Sequence, residues 1–112
     1  LRAYFQAVET GDLVPLTSLL SENVVLWADG GGKTVAAVLR PIRGRATVAR
    51  VSLWSRRFWP ANYRVALEEV NGQAAIIVRA GDQAFCVVAV DVEDGQVQTI
   101  RIIANPEKLA RV

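Results

Sequence analysis

The spacing of apolar residues at the start of the chain predicts two helices. One apolar face recurs at i, i+3, i+4 and i+7, and Gly11 supplies a stop after it. The residues of that face are Leu1, Tyr4, Phe5 and Val8. Asp12 is well placed to cap a second, shorter helix, in whose first turn Pro15 is tolerated. A leucine stripe at positions 16, 19 and 20 carries this helix toward Ser21 and Asn23.

The middle of the chain has the pattern of a hairpin followed by a third helix. β-Branched and aromatic residues predict a strand at 24–27, a turn at 29–33 and a return strand at 35–39. Pro41 separates this hairpin from a segment with helical spacing, which ends before Pro60. The positions that keep helical spacing are Val48, Val51, Trp54, Ser55 and Phe58.

The second half of the chain has the pattern of an antiparallel meander. Four apolar runs are separated by turn sequences rich in Gly, Asn and Asp. The runs are 63–70, 74–79, 84–92 and 97–103. The order of elements predicts an α+β fold in which three helices pack on a strongly bent antiparallel sheet, with residues 1–112 forming one domain.

Two of the predicted strands are apolar at consecutive positions. Residues 74–78 and 84–90 contain no charged side chain in either alternating set, so both faces of the sheet should be covered. The domain's own helices can cover one face. We therefore expect another domain of the same polypeptide, or a second copy in a homodimer, to pack on the other.

The composition is that of one folded, soluble domain. The chain has 112 residues and is 52% hydrophobic and 21% charged, and no apolar run approaches the ~20 residues of a membrane-spanning helix. Cys86 is the only cysteine and lies in a predicted buried strand, which excludes an internal disulfide and fits a reducing compartment. Because the chain lacks methionine and begins inside a helical pattern, we expect it to be a fragment of a longer polypeptide.

Basic residues are concentrated in the middle of the chain. The net charge is only +2, but no acidic residue occurs from Gly30 to Leu67. The basic residues there are Lys33, Arg40, Arg43, Arg45, Arg50, Arg56, Arg57 and Arg64. Two interpretations stay open: solvated arginines whose stems cover apolar surface, or a face that meets an acidic protein or, less favoured, nucleic acid.

The residue types offer little for catalysis. Without histidine, acid–base chemistry would need a carboxylate whose pKa is raised by burial, and Asp29 and Asp91 are the candidates. Both fall near predicted turns, where capping or solvation is the usual role, so we assign no catalytic residue, metal or cofactor. Trp27, Tyr63 and Phe85 are candidates to line an apolar pocket, or else belong to the core.

Two short strings stand out from this background. The glycine string is Asp29-Gly30-Gly31-Gly32-Lys33, and the tail string is Asn105-Pro106-Glu107-Lys108-Leu109. Consecutive glycines let a loop lie close against another backbone, whereas a P-loop would need a longer spacing and a helix after the lysine. In the tail string, Asn-Pro ends the preceding strand at a fixed place. Both strings therefore suit contact better than chemistry.

The chain resembles a known family along nearly its whole length. Residues 5–12, 20–24 and 41–44, in this element order, resemble the SnoaL-like branch of the nuclear transport factor 2-like (NTF2-like) superfamily, which has a cone-shaped fold. The glycine and tail strings resemble signature motifs of the C-terminal SnoaL-like extension of one group of bacterial extracytoplasmic-function (ECF) sigma factors. Glu107 stands where that family usually has aspartate, a change that keeps the charge.

The resemblance implies a non-catalytic regulator that acts within its own polypeptide. In that family the extension contacts the sigma regions through both strings and influences their engagement with core RNA polymerase, while DNA-binding regions absent from this chain contact promoter DNA. It implies a cytoplasmic protein. The alternatives are a SnoaL-like isomerase, cyclase or hydrolase, a small-molecule binder, or a dimerisation module.

Overall fold

The computed structural model describes residues 2–29, 41–70 and 73–103. The helices are α1 (Arg2–Thr10), α2 (Leu13–Leu19) and α3 (Arg45–Ser55), and a 3₁₀ helix (Arg56–Phe58) extends α3. The strands are β1 (Leu20–Asp29), β2 (Ile42–Arg43), β3 (Arg64–Val70), β4 (Gln73–Ala80), β5 (Gln83–Glu93) and β6 (Gln96–Ile103). Three helices on a curved sheet confirm the predicted fold class.

The strands form one sheet in the order β2-β1-β6-β5-β4-β3. Strands β3 to β6 pair in sequence as an antiparallel meander, which confirms the prediction for the second half. The pairing of β1 with β6 is parallel, so the sheet is mixed and not purely antiparallel as predicted. This parallel pair joins the first half of the chain to the last described strand.

The structure corrects two predicted boundaries, one at each end of β1. The second helix ends at Leu19 and does not run toward Ser21 and Asn23. Leu20 already has extended geometry (φ −92°, ψ 140°) because it begins the strand. At the other end, Asp29 is the last strand residue and not part of a turn. The return strand predicted at 35–39 lies outside the described residues.

The main core fills the space between the helices and the inner face of the sheet. Leu16 of α2 and Val48 of α3 are completely buried there against β1 and the meander strands. A second cluster consists of residues that alternate with those core positions, so it lies on the outer face. Its members are Ala75, Ile77, Val87 and Ala89.

This outer-face cluster confirms that the consecutive apolar runs are buried on both sides. Its four residues are at most 7% exposed in the chain by itself. These four positions are therefore buried without a homodimer or a neighbouring domain, and the packing of such a partner on this face stays a prediction. Exposed positions of the outer face lie elsewhere, among them Trp27 of β1, Asp91 of β5 and Arg101 of β6.

Gly11 ends α1 in a way that only glycine accommodates easily. Its φ is +76°, and its N–H donates to the carbonyl oxygens of Ala7 and Val8 at 3.1 and 3.2 Å. A Cβ at this position would lie 2.5 Å from Nη1 of Arg56, whose side chain reaches over from the far end of α3.

Gly11→Ala is expected to lower the free energy of unfolding by about 1–2 kcal/mol, because alanine is strained at positive φ and Arg56 must also move. Urea denaturation measures the change. Gly81→Ala is the matched control, since Gly81 has φ +62° with nothing within 4 Å of the new Cβ. A loss at Gly81 as large as that at Gly11 would show that the Arg56 contact contributes nothing.

Candidate functional site

The strands that lead into the two strings end side by side. Because β1 and β6 are parallel, their carboxyl ends lie at the same edge of the sheet, and Asp29 pairs in register with Ile103. The glycine string continues from Asp29, and the tail string begins at the second residue after Ile103. Beyond the backbone of Asp29, both strings lie outside the described residues. The topology thus brings together the points from which they start.

An exposed aromatic–arginine pair lies next to these strand ends. Trp27 and Arg101 are register partners, and the guanidinium carbon is 5.8 Å from the centre of the Trp27 ring. The two residues lie on the outer face, since the neighbouring Leu26 points into the main core. Trp27 is 41% exposed. The structure therefore places Trp27 on an exposed surface and not in the apolar pocket for which it was a candidate.

Arg101 was not predicted as a site residue. It is the only charged residue of β6, within a strand whose neighbours Ile100 and Ile102 are buried. A lone charge at one alternating position of an apolar strand is a signal for an exposed outer position. The sequence therefore contained the clue, but it could not supply the partner across the parallel pair.

A small cavity lies under α1, between the helices and the inner face of the sheet. Its lining residues are Tyr4, Phe5, Val8, Ser52, Ser55, Trp59, Ile76, Val88 and Ile102. The cavity has a volume of about 10 Å³, which is room for about one water molecule. The Phe5 and Trp59 rings stack beside it, 5.9 Å apart between centroids.

The other two aromatic residues predicted for a pocket do not line this cavity. Tyr63 packs edge-on against Trp59, and its hydroxyl donates to Oε2 of Glu9 at 3.0 Å. That hydrogen bond raises the pKa of Tyr63. Phe85 is partly buried against the main core. Both residues support the packing around the cavity without contacting its space.

Tyr4, the one ionisable residue among these lining residues, is neutral at physiological pH. The Tyr4 hydroxyl donates to Oγ of Ser52 at 3.1 Å, and desolvation raises the pKa of Tyr4 to about 12 even though this hydrogen bond opposes the shift. Burial also raises the pKa of the Cys86 thiol to about 12. The lining therefore offers neutral hydroxyl groups and apolar surface.

Of the two carboxylates considered for catalysis, Asp91 lies away from this lining, and for Asp29 only the backbone is described. Asp91 is exposed, and it falls on the outer face because Val90 beside it points into the core. Asp29 ends β1 at the sheet edge. Among the described residues, no group of three or more His, Cys, Asp or Glu side chains could hold a metal ion. The described part of the chain also has no helix long and apolar enough to cross a membrane.

Two of the central arginines make hydrogen bonds to backbone carbonyl oxygens. Arg45 donates from Nε to the carbonyl oxygen of Leu20 at 2.9 Å, and Arg64 donates to that of Gly81 at 2.8 Å. These two arginines support the backbone. Others are exposed: Arg43, Arg50, Arg56 and Arg57.

A known protein is similar to this chain in both sequence and fold. No protein-family model matches the chain. It is 33% identical over 111 residues to the ECF RNA polymerase sigma factor SigJ of Mycobacterium tuberculosis, covering 91% of this chain and 35% of SigJ. The crystal structure of that protein superposes with a TM-score of 0.72 and 30% identity, covering 95% of this chain and 41% of SigJ.

More distant structures share the fold alone. A putative ketosteroid isomerase from Kribbella flavida is 20% identical with a TM-score of 0.55, over 91% of this chain and 72% of that one. An NTF2-like protein from Burkholderia xenovorans is 22% identical with a TM-score of 0.58, over 98% and 89%.

The match to SigJ falls on its C-terminal domain, and the chain spans about a third of the length of SigJ. The remaining two thirds of that relative have no counterpart here. The chain is therefore a homologue of the C-terminal domain of the ECF sigma factor SigJ and shares the fold of NTF2-like proteins, in agreement with the resemblance found in its sequence.

Proposed function

We propose that the chain is a non-catalytic regulatory domain of an ECF sigma factor. In this proposal it contacts the sigma regions of the same polypeptide and modulates how they engage core RNA polymerase at transcription initiation. Promoter DNA is bound by regions outside this chain, and the protein acts in the cytoplasm. The observation that carries the proposal is the parallel pairing of β1 with β6, which starts both strings from one edge of the sheet.

The surface around that edge has the composition of a protein contact. Trp27 and Arg101 are both exposed and adjacent to it, and tryptophan and arginine are enriched among the residues that dominate binding energy. The glycines at 30–32 permit close approach of a partner backbone. Together with the tail string, these residues form a contact surface for the sigma regions. Trp27 supplies an aromatic anchor, and the glycines let the two backbones approach closely.

The cavity chemistry supports regulation more than turnover. Small-molecule sites usually have volumes of roughly 300 Å³ or more, whereas this cavity has room for about one water. The Tyr4 hydroxyl donates to that of Ser52, the Ser55 hydroxyl donates to the Ser52 carbonyl oxygen, and Asp91 lies on the opposite side of the sheet. Isomerase, cyclase, hydrolase or ligand-binding activity is the second candidate, because the fold is shared with a putative ketosteroid isomerase.

The test uses the full-length sigma factor that carries this domain. Gly31→Val, or deletion of residues 105–112, is expected to change transcription from its promoter by about fivefold or more, the lower end of typical coupling between sites. Transcription is measured in vitro with purified core RNA polymerase, and circular dichroism checks that the domain stays folded. If neither change alters transcription, the contact proposal is wrong.

Gly95→Val is the matched control for loss of stability. Gly95 precedes β6 at the end of that strand opposite the strings, has φ +76° and has nothing within 4 Å of a new Cβ. Valine there is strained but far from the proposed contact. An equal effect of Gly95→Val on transcription would mean that stability, and not contact, controls the output.

A further inference from the structure

Helices α2 and α3 form an antiparallel pair, and at each end of the pair an arginine side chain from the α3 side approaches the α2 side. At one end Arg45, which begins α3, donates to the carbonyl oxygen of Leu20, just after α2. At the other end Arg56, just after α3, reaches Gly11, just before α2. The buried residues of the pair, such as Leu16 and Val48, face the sheet. The opposite side of the pair therefore faces outward.

This outward side carries unusually exposed apolar residues. Val14 is 76% exposed, Trp54 is 43% exposed and Leu13 is 40% exposed. Leu13 follows Gly11 closely, and Trp54 precedes Arg56 closely, so these residues lie at the same end of the helix pair. They make an apolar patch, which we call the α2–α3 patch.

Apart from Asp12, the charged residues closest in sequence to the α2–α3 patch are positive. Arg50 and Arg57 are exposed; Arg50 lies one α-helical turn before Trp54, and Arg57 follows Trp54 in the 3₁₀ helix. No aspartate or glutamate occurs at 13–19 or 45–58. The nearest acidic group in sequence is the Asp12 side chain, which accepts from the N–H of Val14 as the α2 N-cap. The patch is thus apolar in its centre and positive at its rim.

We infer that the α2–α3 patch is a docking surface for an acidic amphipathic helix of a separate protein. Two antiparallel helices present a groove into which the apolar face of a third helix fits. The exposed arginines complement acidic residues beside that face and would repel a basic one. Nucleic acid fits less well, because its interfaces are more polar and more densely cationic than a patch of Leu, Val and Trp. The site is separate from the strings and does not depend on the proposed sigma-region contact.

The test titrates the ¹⁵N-labelled 112-residue chain with a synthetic peptide of about 18 residues, built as a helix with leucines on one face and glutamates on the other. Saturable binding with NMR shift changes at Leu13, Val14 and the Trp54 indole is expected. The double variant Arg50→Glu/Arg57→Glu should weaken binding by about tenfold or more. Trp54→Ala should weaken it similarly, as loss of an aromatic anchor does.

The matched control is Arg43→Glu, which makes the same charge change at an exposed site on β2 and should leave binding within about twofold. A peptide of the same composition in scrambled order should bind much more weakly. Equal binding of the scrambled peptide, tighter binding of a duplex DNA to the same residues, or no saturation by about 1 mM peptide would each overturn the inference. Concentration-dependent shifts at the patch without peptide would also overturn it, since a second copy would then be the occupant.

Discussion

Leu16→Ala is expected to lower the free energy of unfolding by about 3 kcal/mol, within the 2–5 kcal/mol typical of buried leucine. Leu16 is completely buried and is the one buried residue in α2. A helix of seven residues is too short to be stable alone, so its place depends on packing. The loss would be a large share of the roughly 5–15 kcal/mol that holds a domain folded.

Leu13→Ala makes the same chemical change in the same helix and gives the control. Leu13 is 40% exposed, so its truncation should cost less than about 1 kcal/mol. Urea denaturation of both variants measures the difference. Equal losses would show that α2 does not hold its place through the core, and would weaken the inference that its outward side is an available surface.

A steep loss of stability at alkaline pH is the second large expected effect. The pKa values of Tyr4 and Cys86 are both raised to about 12, from 10.0 and 9.0. Because the unfolded chain releases these protons first, their stabilisation is fully present below about pH 9 and is lost as the pH rises toward 12. For Tyr4 alone the loss is on the order of 3 kcal/mol, from two pKa units at about 1.4 kcal/mol each.

Tyr4→Phe separates the two contributions. This variant loses the hydrogen bond to Ser52 at every pH, but it should lack the part of the alkaline loss that comes from Tyr4 and retain the part that comes from Cys86. The free energy of unfolding is measured at intervals between pH 8 and about 11, where the shifts act. Identical pH profiles for Tyr4→Phe and the unchanged protein would contradict a desolvated Tyr4.

Local patterns predicted most of the elements, because each depends on its own residues. The periodicity of α1 and α3, the Asp12 cap and the turns of the meander needed no distant partner. The end of α2 was predicted too far along because Leu20 is buried whether it lies in a helix or in a strand. Its strand geometry comes from pairing with Val97, far away in sequence, which periodicity cannot contain.

The sequence identifies the residues of the candidate site, but it does not show where they lie relative to one another. The motifs identified both strings, while their common starting edge depends on the parallel pairing of Asp29 with Ile103. The sequence leaves Trp27 open between a pocket and the core, and because 24–27 is apolar throughout, alternation does not say which face it occupies. The register with Arg101 decides this, and register is a tertiary property.

The position of β6 between β1 and β5 also determines when the molecule can fold. Strand β1 is synthesised early, but it can pair with β6 only after β6, the last described strand, has been synthesised. Contacts between segments so distant in sequence form slowly. An apolar strand that stays unpaired during synthesis is prone to aggregate. Chaperones that shield nascent chains should therefore affect the yield of this domain through β1 more than through the meander. The strands of the meander are synthesised one after another and pair in that same order.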